Sequence, residues 1–247
     1  MISALLEVKD SMDMTEVEWL ACDHPQPMLA FMRGKASDRK YRLCILNCCY
    51  YIRHLLVDKT YGCVIEVAER FVEGLADDSA LAAPRALAKH FAWWGSNKGS
   101  AGPLWDAGWY MDAYMGASVN ATDPDAPAVL ALALTMDNAQ AAAVELCGPW
   151  AMALGVSPTV MTAILRDIFH TPYRGVVMRA RWRRWNGGLV CKLAQTIYND
   201  RAFDQLPILA DALEEAGCNE VDILNHCRQP GEHVRGCWVV DLLLNKS

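Results

Sequence analysis

The chain reads as all-α, a multi-helix bundle of antiparallel helix pairs with room for two packed helical subdomains. Three observations predict this. Apolar residues recur at three- and four-residue spacing along much of the chain. Capping residues, prolines and glycines punctuate those runs at short intervals, the pattern of paired helices with short connections. No stretch alternates apolar and polar residues, with β-branched enrichment, for long enough to make a convincing strand.

Taken in order, Thr15-Glu16-Val17-Glu18 fits a capping box, in which hydroxyl and carboxylate satisfy the free amides of a helix start, and Trp19-Leu20 follows as its apolar face. Pro25 and Pro27 end that helix and open a second over 28–32, closed by Gly34. Ser37 caps the longest N-terminal helix, with Leu43, Leu46, Ile52, Leu55 and Leu56 at helical spacing and Arg39, Lys40, Arg42 and Arg53 on its far side. An amphipathic run over 64–75 places Val64, Val67, Ala68 and Phe71 on one face.

Residues 95–103, rich in Gly and Ser, read as a loop or linker. An aromatic helix is expected over 104–115, a Pro/Asp turn over 122–127, an Ala/Leu helix over 128–147, and a helix over 158–169 with Ser157 as cap and Pro158 at its first position. Four more helices are expected over 189–198, 205–216, 219–227 and 233–244. This gives an N-terminal subdomain over 14–95, an aromatic and Ala-rich middle over 96–185 and a C-terminal subdomain over 186–247, with one continuous domain as the alternative.

Composition bounds the function. With 247 residues, 53% of them hydrophobic, the chain can bury a substantial core. Lys and Arg number 23 against 29 Asp and Glu, so the overall field does not favour nucleic acid or an anionic membrane, and such binding would need a local patch. The N-terminal segment carries Glu7, Asp10 and Asp13 and lacks the pattern of a secretory signal, and the apolar runs at 126–134 and 146–156 are short of the ~20 residues of a membrane span. A cytoplasmic protein without membrane contact is expected. Its ten cysteines then read as reduced thiols or metal ligands. Packing on apolar faces is the leading account of most of them, Cys63, Cys147 and Cys191 among them.

Two blocks of sequence carry a resemblance. The first holds Thr15 to Cys22, Arg33-Gly34-Lys35-Ala36-Ser37-Asp38-Arg39-Lys40, Cys48-Cys49 and His54-Leu55-Leu56. The second holds Trp182, Trp185-Asn186-Gly187, Leu209 to Cys218, His226-Cys227-Arg228 and His233 to Leu244. Together they resemble an uncharacterised planctomycete-type protein family, with departures at Cys44 and Tyr50-Tyr51. The resemblance implies a grouping and no mechanism.

The sharpest chemical constellation lies in the second block. Cys218, His226, Cys227, His233 and Cys237 supply thiolates and imidazoles, the ligands zinc prefers, and His233 and Cys237 are four apart, so a helix would face them the same way. Cys218, Cys227, His233 and Cys237 form the candidate metal set, with zinc as the metal. The spacing lacks a tight Cys-x-x-Cys knuckle. A variant draws on Cys48, Cys49 and His54, although adjacent helical cysteines diverge by about 100°. The same residues also admit a Cys/His nucleophile, which needs an accessible thiolate beside an imidazole.

A basic patch of Arg174, Arg179, Arg181, Arg183 and Arg184 is interleaved with Trp182 and Trp185. Guanidinium groups neutralise phosphates and indoles stack on bases, so this composition suits single-stranded nucleic acid. The alternative makes the tryptophans packing anchors and the arginines solvated. No phosphate-cradling glycine motif and no catalytic signature is present. The function expected overall is a non-catalytic interaction or adaptor module that binds another protein through Trp19, Trp93, Trp94, Trp105 and Trp109. The alternatives are a nucleic-acid accessory protein using the Arg179–Trp185 patch, and a zinc-stabilised domain or Cys/His enzyme.

Overall fold

A computed structural model describes residues 14–55, 59–86, 130, 133–170, 173 and 175–246. Among them every regular element is helical, and the helices pack against one another, as expected of an all-α fold. None is long and apolar enough to cross a membrane.

The Thr15 capping box forms as predicted: the backbone amides of Glu18 and Thr15 bond Thr15 Oγ1 and Glu18 Oε2 at 3.2 and 2.8 Å. It starts the helix Glu16–Ala21, whose Trp19 is completely buried. The second helix, Pro25–Phe31, begins at the first proline rather than after the second, since proline is tolerated in a helix's opening turn.

The helix Asp38–Tyr51 organises the N-terminal half. Its buried run is unbroken from Tyr41 to Cys49, so it is surrounded and not amphipathic. The expected division into an apolar stripe and a basic far side is therefore corrected at Arg42. Arg42 is buried and donates to the carbonyls of Leu134 and Met136, both at 2.7 Å. These are carbonyls released where the expected 128–147 helix breaks: Asn138 caps a new start by accepting from the amide of Ala141 at 2.9 Å. After that break the chain runs through Ala139–Ala141, a π-helical stretch Ala142–Cys147, and Gly148–Ala153. Helix Lys59–Val72 starts earlier than expected, and Pro158–Ile168 has the predicted Ser157 cap. The expected 95–103 linker, 104–115 helix and 122–127 turn lie outside the described residues.

The C-terminal part comprises Ala180–Asp200, Leu206–Glu215, Val221–Arg228 and Trp238–Leu244. The first is interrupted at Trp185–Gly188, where Asn186, Gly187 and Gly188 have φ of 47°, 64° and 79°. That left-handed run, natural for Asn and Gly, makes the segment Trp185–Gly188 irregular. Trp238–Leu244 is shorter than the expected 233–244, because His233 to Cys237 is not helical.

Among the described residues most buried apolar side chains fall into two clusters, one running from Trp19 to Phe169 and one from Trp182 to Leu243. The seam between them is largely polar. Asp241 receives both terminal nitrogens of Arg39, at 2.7 and 3.3 Å, and the ammonium of Lys40 at 2.9 Å. Glu69 meets Arg201 at 2.6 Å, Tyr50 at 2.5 Å and Arg235. Glu73 meets Lys246 at 2.7 Å and the hydroxyl of Tyr198.

The His233–Cys237 strap lies along this seam, and its residues tie it to the first cluster. Val234 donates its amide to Asp167 Oδ2 at 2.7 Å and packs on the first cluster. The carbonyls of Arg235 and Gly236 accept from Asn47 at 3.0 Å and Lys40 at 3.1 Å. Gly236 has φ of 101°, and a Cβ there would lie 2.9 Å from Leu43 Cδ1. Only glycine combines that backbone with that approach.

Candidate metal centre

Where the two ends of the strap come together, Asp167, His226, His233 and Cys237 each present a ligand atom, and all four atoms lie within 4.8 Å of one another. Two helices and the strap supply them. Asp167 is on the last turn of Pro158–Ile168, His226 on Val221–Arg228, His233 opens the strap, and Cys237 caps Trp238–Leu244. Asp167, His226 and Cys237 are 3%, 7% and 0% exposed, and the His233 side chain is 6% exposed.

Asp167 Oδ1 is 2.6 Å from His233 Nδ1 and 3.0 Å from His226 Nε2, which is in turn 3.3 Å from Cys237 Sγ. Burial opposes ionisation of Asp167, but its bonds to His226 and His233 outweigh burial and hold the carboxyl below its ordinary value. Burial pushes His226 below its ordinary value, against the pull of Asp167. Burial also drives the Cys237 thiol well above its ordinary value.

A carboxylate only accepts, so His233 donates from Nδ1 to Asp167. Its Nε2 is buried without a hydrogen-bond partner. On His226 the Gln229 carboxamide lies 3.2 Å from Nδ1, which makes Nε2 the N–H that faces Asp167.

The donor set suits a divalent cation. Metal–ligand distances of about 2.0–2.3 Å imply tetrahedral edges of roughly 3.3–3.7 Å. The facing pairs at 2.6, 3.0 and 3.3 Å are within a few tenths of an ångström to about 0.7 Å of that. A cation would take the place of protons now lying between these atoms, so binding would release protons. A cleft of about 310 Å³, lined by both polar groups (Glu16, Asp222, Asn225, Gln229) and apolar ones (Trp19, Trp238), includes His226 in its wall and offers an approach.

The arrangement does not favour a nucleophile. Cys237 is completely buried with its thiol kept protonated, and Asp167 and Cys237 face the same nitrogen of His226, whereas a relay needs the orienting group on the other one.

Of the metal ligands read from the sequence, His233 and Cys237 enter this group, together with His226 from the wider constellation. Cys218 and Cys227 are buried in the C-terminal cluster and are not among the four, and burial raises the Cys227 thiol to about 12. The reason given for pairing His233 with Cys237 is corrected: a non-helical strap brings them together, not a helix face. Asp167 was missed. Its signal is an acidic residue three positions after Ile164 on the buried stripe of an amphipathic helix. Cys48 and Cys49 are buried in the other cluster and His54 is exposed.

In the basic patch, Trp182 is completely buried, and the guanidinium groups of Arg179 and Arg181 lie 5.5 and 6.0 Å from its ring centre. Arg179 lies 3.7 Å from Glu220, while Arg181 and Arg183 donate to Gly217 O and Asn245 Oδ1 at 3.3 and 2.7 Å. Arg184 is exposed, Trp185 is half-buried, and Arg174 lies outside the described residues. Trp19, read as a partner-binding aromatic, is core. Trp93, Trp94, Trp105 and Trp109 lie outside the described residues. No family model, curated protein or solved structure matches the chain, so the planctomycete-type grouping stays a resemblance.

Proposed function

We propose that this chain is a metal-stabilised helical protein in which Asp167, His226, His233 and Cys237 bind zinc and thereby lock the C-terminal helices onto the N-terminal ones. The observation that carries the reading is the convergence of four buried ligand atoms within 4.8 Å. One carboxylate, two imidazoles and one thiol suit zinc better than the all-oxygen sites of magnesium or calcium. Four protein ligands without an open position are the pattern of a structural site rather than a catalytic one.

Asp167 belongs to the helix Pro158–Ile168, which packs in the first cluster, while Cys237 packs in the second. The metal would therefore bridge the two clusters, and its binding energy would add to the stability of their docking. A thiolate ligand also fits a reducing compartment such as the cytoplasm.

Titration of the metal-free protein with Co²⁺ tests this directly. The expected outcome is a tetrahedral cobalt spectrum with sulfur-to-metal charge-transfer absorption, reversed by excess zinc, and with the sulfur band lost in Cys237→Ser. An octahedral spectrum, or a sulfur band that survives Cys237→Ser, contradicts the assignment.

A further inference from the structure

A second feature, independent of the metal centre, is a cleft of about 410 Å³ that straddles the seam between the two clusters. It lies between the segment 32–40 and the helix Trp238–Leu244, and junctions between packed units are favoured places for small-molecule sites. Its wall is mainly apolar, formed by Met32, Ile168, Phe169, Val176, Trp238 and Leu242.

The polar groups in that wall are unbalanced toward positive charge. Lys35, Lys40 and Lys246 face Asp241 as the one carboxylate. Asp241 is already occupied by Arg39 and Lys40, and Lys40 also donates to the carbonyls of Ile168 at 2.9 Å and Gly236 at 3.1 Å. Lys40 thus has three acceptors for its three N–H donors and is a fixed structural charge. Lys246 meets Glu73 at 2.7 Å, and Lys35 lies over the Phe31 ring at 3.2 Å. Lys246 also lies over the Tyr198 ring at 4.4 Å, but an ammonium has three N–H donors, and Glu73 takes one of them. The hydroxyl of Ser37, at the same rim, makes no capping bond to the helix it precedes.

We infer that this cleft binds a small amphipathic carboxylate, its apolar body against Trp238, Phe169 and Leu242 and its head group between Lys35 and Lys246. Charge sets the class. An apolar wall favours an apolar body, and the cations Lys35, Arg39, Lys40 and Lys246 outnumber their carboxylates Asp241 and Glu73, which favours a negative head. A phosphate monoester is less well matched. Arg39, which could grip it with a bidentate fork, is held by Asp241, and a dianion would meet that same carboxylate in the wall.

Isothermal titration calorimetry of the full chain with decanoate, decyltrimethylammonium, decyl phosphate and acetate tests the inference. Saturable binding of decanoate is expected, with acetate and the cationic amphiphile showing none and decyl phosphate binding more weakly. Lys35→Met should weaken decanoate at least about tenfold, and Leu242→Glu should abolish its binding. Lys35 is exposed, so its substitution leaves the fold intact, and an unchanged thermal melt verifies that. Equal binding of the anionic and cationic amphiphiles, no saturable heat with decanoate, or unchanged affinity in Lys35→Met would each overturn the assignment. Tighter binding of decyl phosphate than of decanoate would overturn the choice of carboxylate.

Discussion

Asp167 and Asp241 are both buried aspartates at the seam between the two clusters, 3% and 1% exposed, but they are held by different chemistry. Asp241 has its compensating charge built in: the guanidinium of Arg39 grips it with two nitrogens and Lys40 adds a third contact. Asp167 instead faces two imidazoles, which carry charge only when protonated, and it shares His226 with a thiol. Proteins bury charge where it is paired or bound to metal. Asp241 is paired, and Asp167 stands where a cation would complete the pairing. The first is a permanent ion pair and the second a conditional one.

The comparison can be broken at either end. Asp241→Ala leaves the half-buried Arg39 and Lys40 without their carboxylate and should cost about 3 kcal/mol, seen in urea unfolding and unchanged by chelator. Removing zinc should cost about 3–4 kcal/mol at free metal 100 to 1,000 times Kd, or roughly 6–16 °C in Tm for a chain of this size. Asp167→Ala should abolish most of that chelator effect while leaving the Asp241 pair in place. If chelator shifts the melt of Asp167→Ala as much as that of the native chain, the conditional half of the contrast fails.

A smaller effect is expected in the strap that joins the two sites. Gly236→Ala must adopt a positive φ and approach Leu43 too closely, which should destabilise by about 1–3 kcal/mol. Its urea midpoint should fall with little change in slope. A neutral result would mean that the strap does not hold the seam.

The smallest effect is pH dependence of the metal-free chain. His226 has a depressed folded value, so the unfolded chain takes up its proton first as pH falls through about 6.5. Stability contributed near neutrality should therefore decline on acidification from about 7 toward 5, by a few degrees in Tm. Asp167 acts lower: its depressed value contributes stability above the ordinary carboxyl range that is lost as pH falls through the folded value. His226→Gln should flatten the upper of these two slopes. A melt independent of pH over that window in the native chain would show that His226 is not buried as described.

How much of this could be read from the chain follows from what local pattern encodes. The Thr15 box, the Ser157 cap and the amphipathic runs depend on neighbours in sequence, and they gave the helices and the all-α class. Arg42 could be read only as part of a basic far side because its partners, the carbonyls of Leu134 and Met136, are released by a break that begins with Asn138 far along the chain. His233 and Cys237 were legible as residue types but not as geometry, since Gly236 turns the strap out of the helix they were assigned to. Cys218 and Cys227 were as plausible by type as His226, and only their packing into the C-terminal cluster separates them from it. Asp167 is 59 residues from His226, beyond the reach of any spacing rule, and its position on an apolar stripe was the one local sign of its burial.

The most direct test of the zinc assignment is native mass spectrometry of the full chain purified without chelator, alongside an Asp167→Ala/Cys237→Ser double variant. The account predicts stoichiometric zinc on the native chain and bare polypeptide for the variant under the same zinc supply. Bare polypeptide mass for the native chain in the presence of zinc would contradict it.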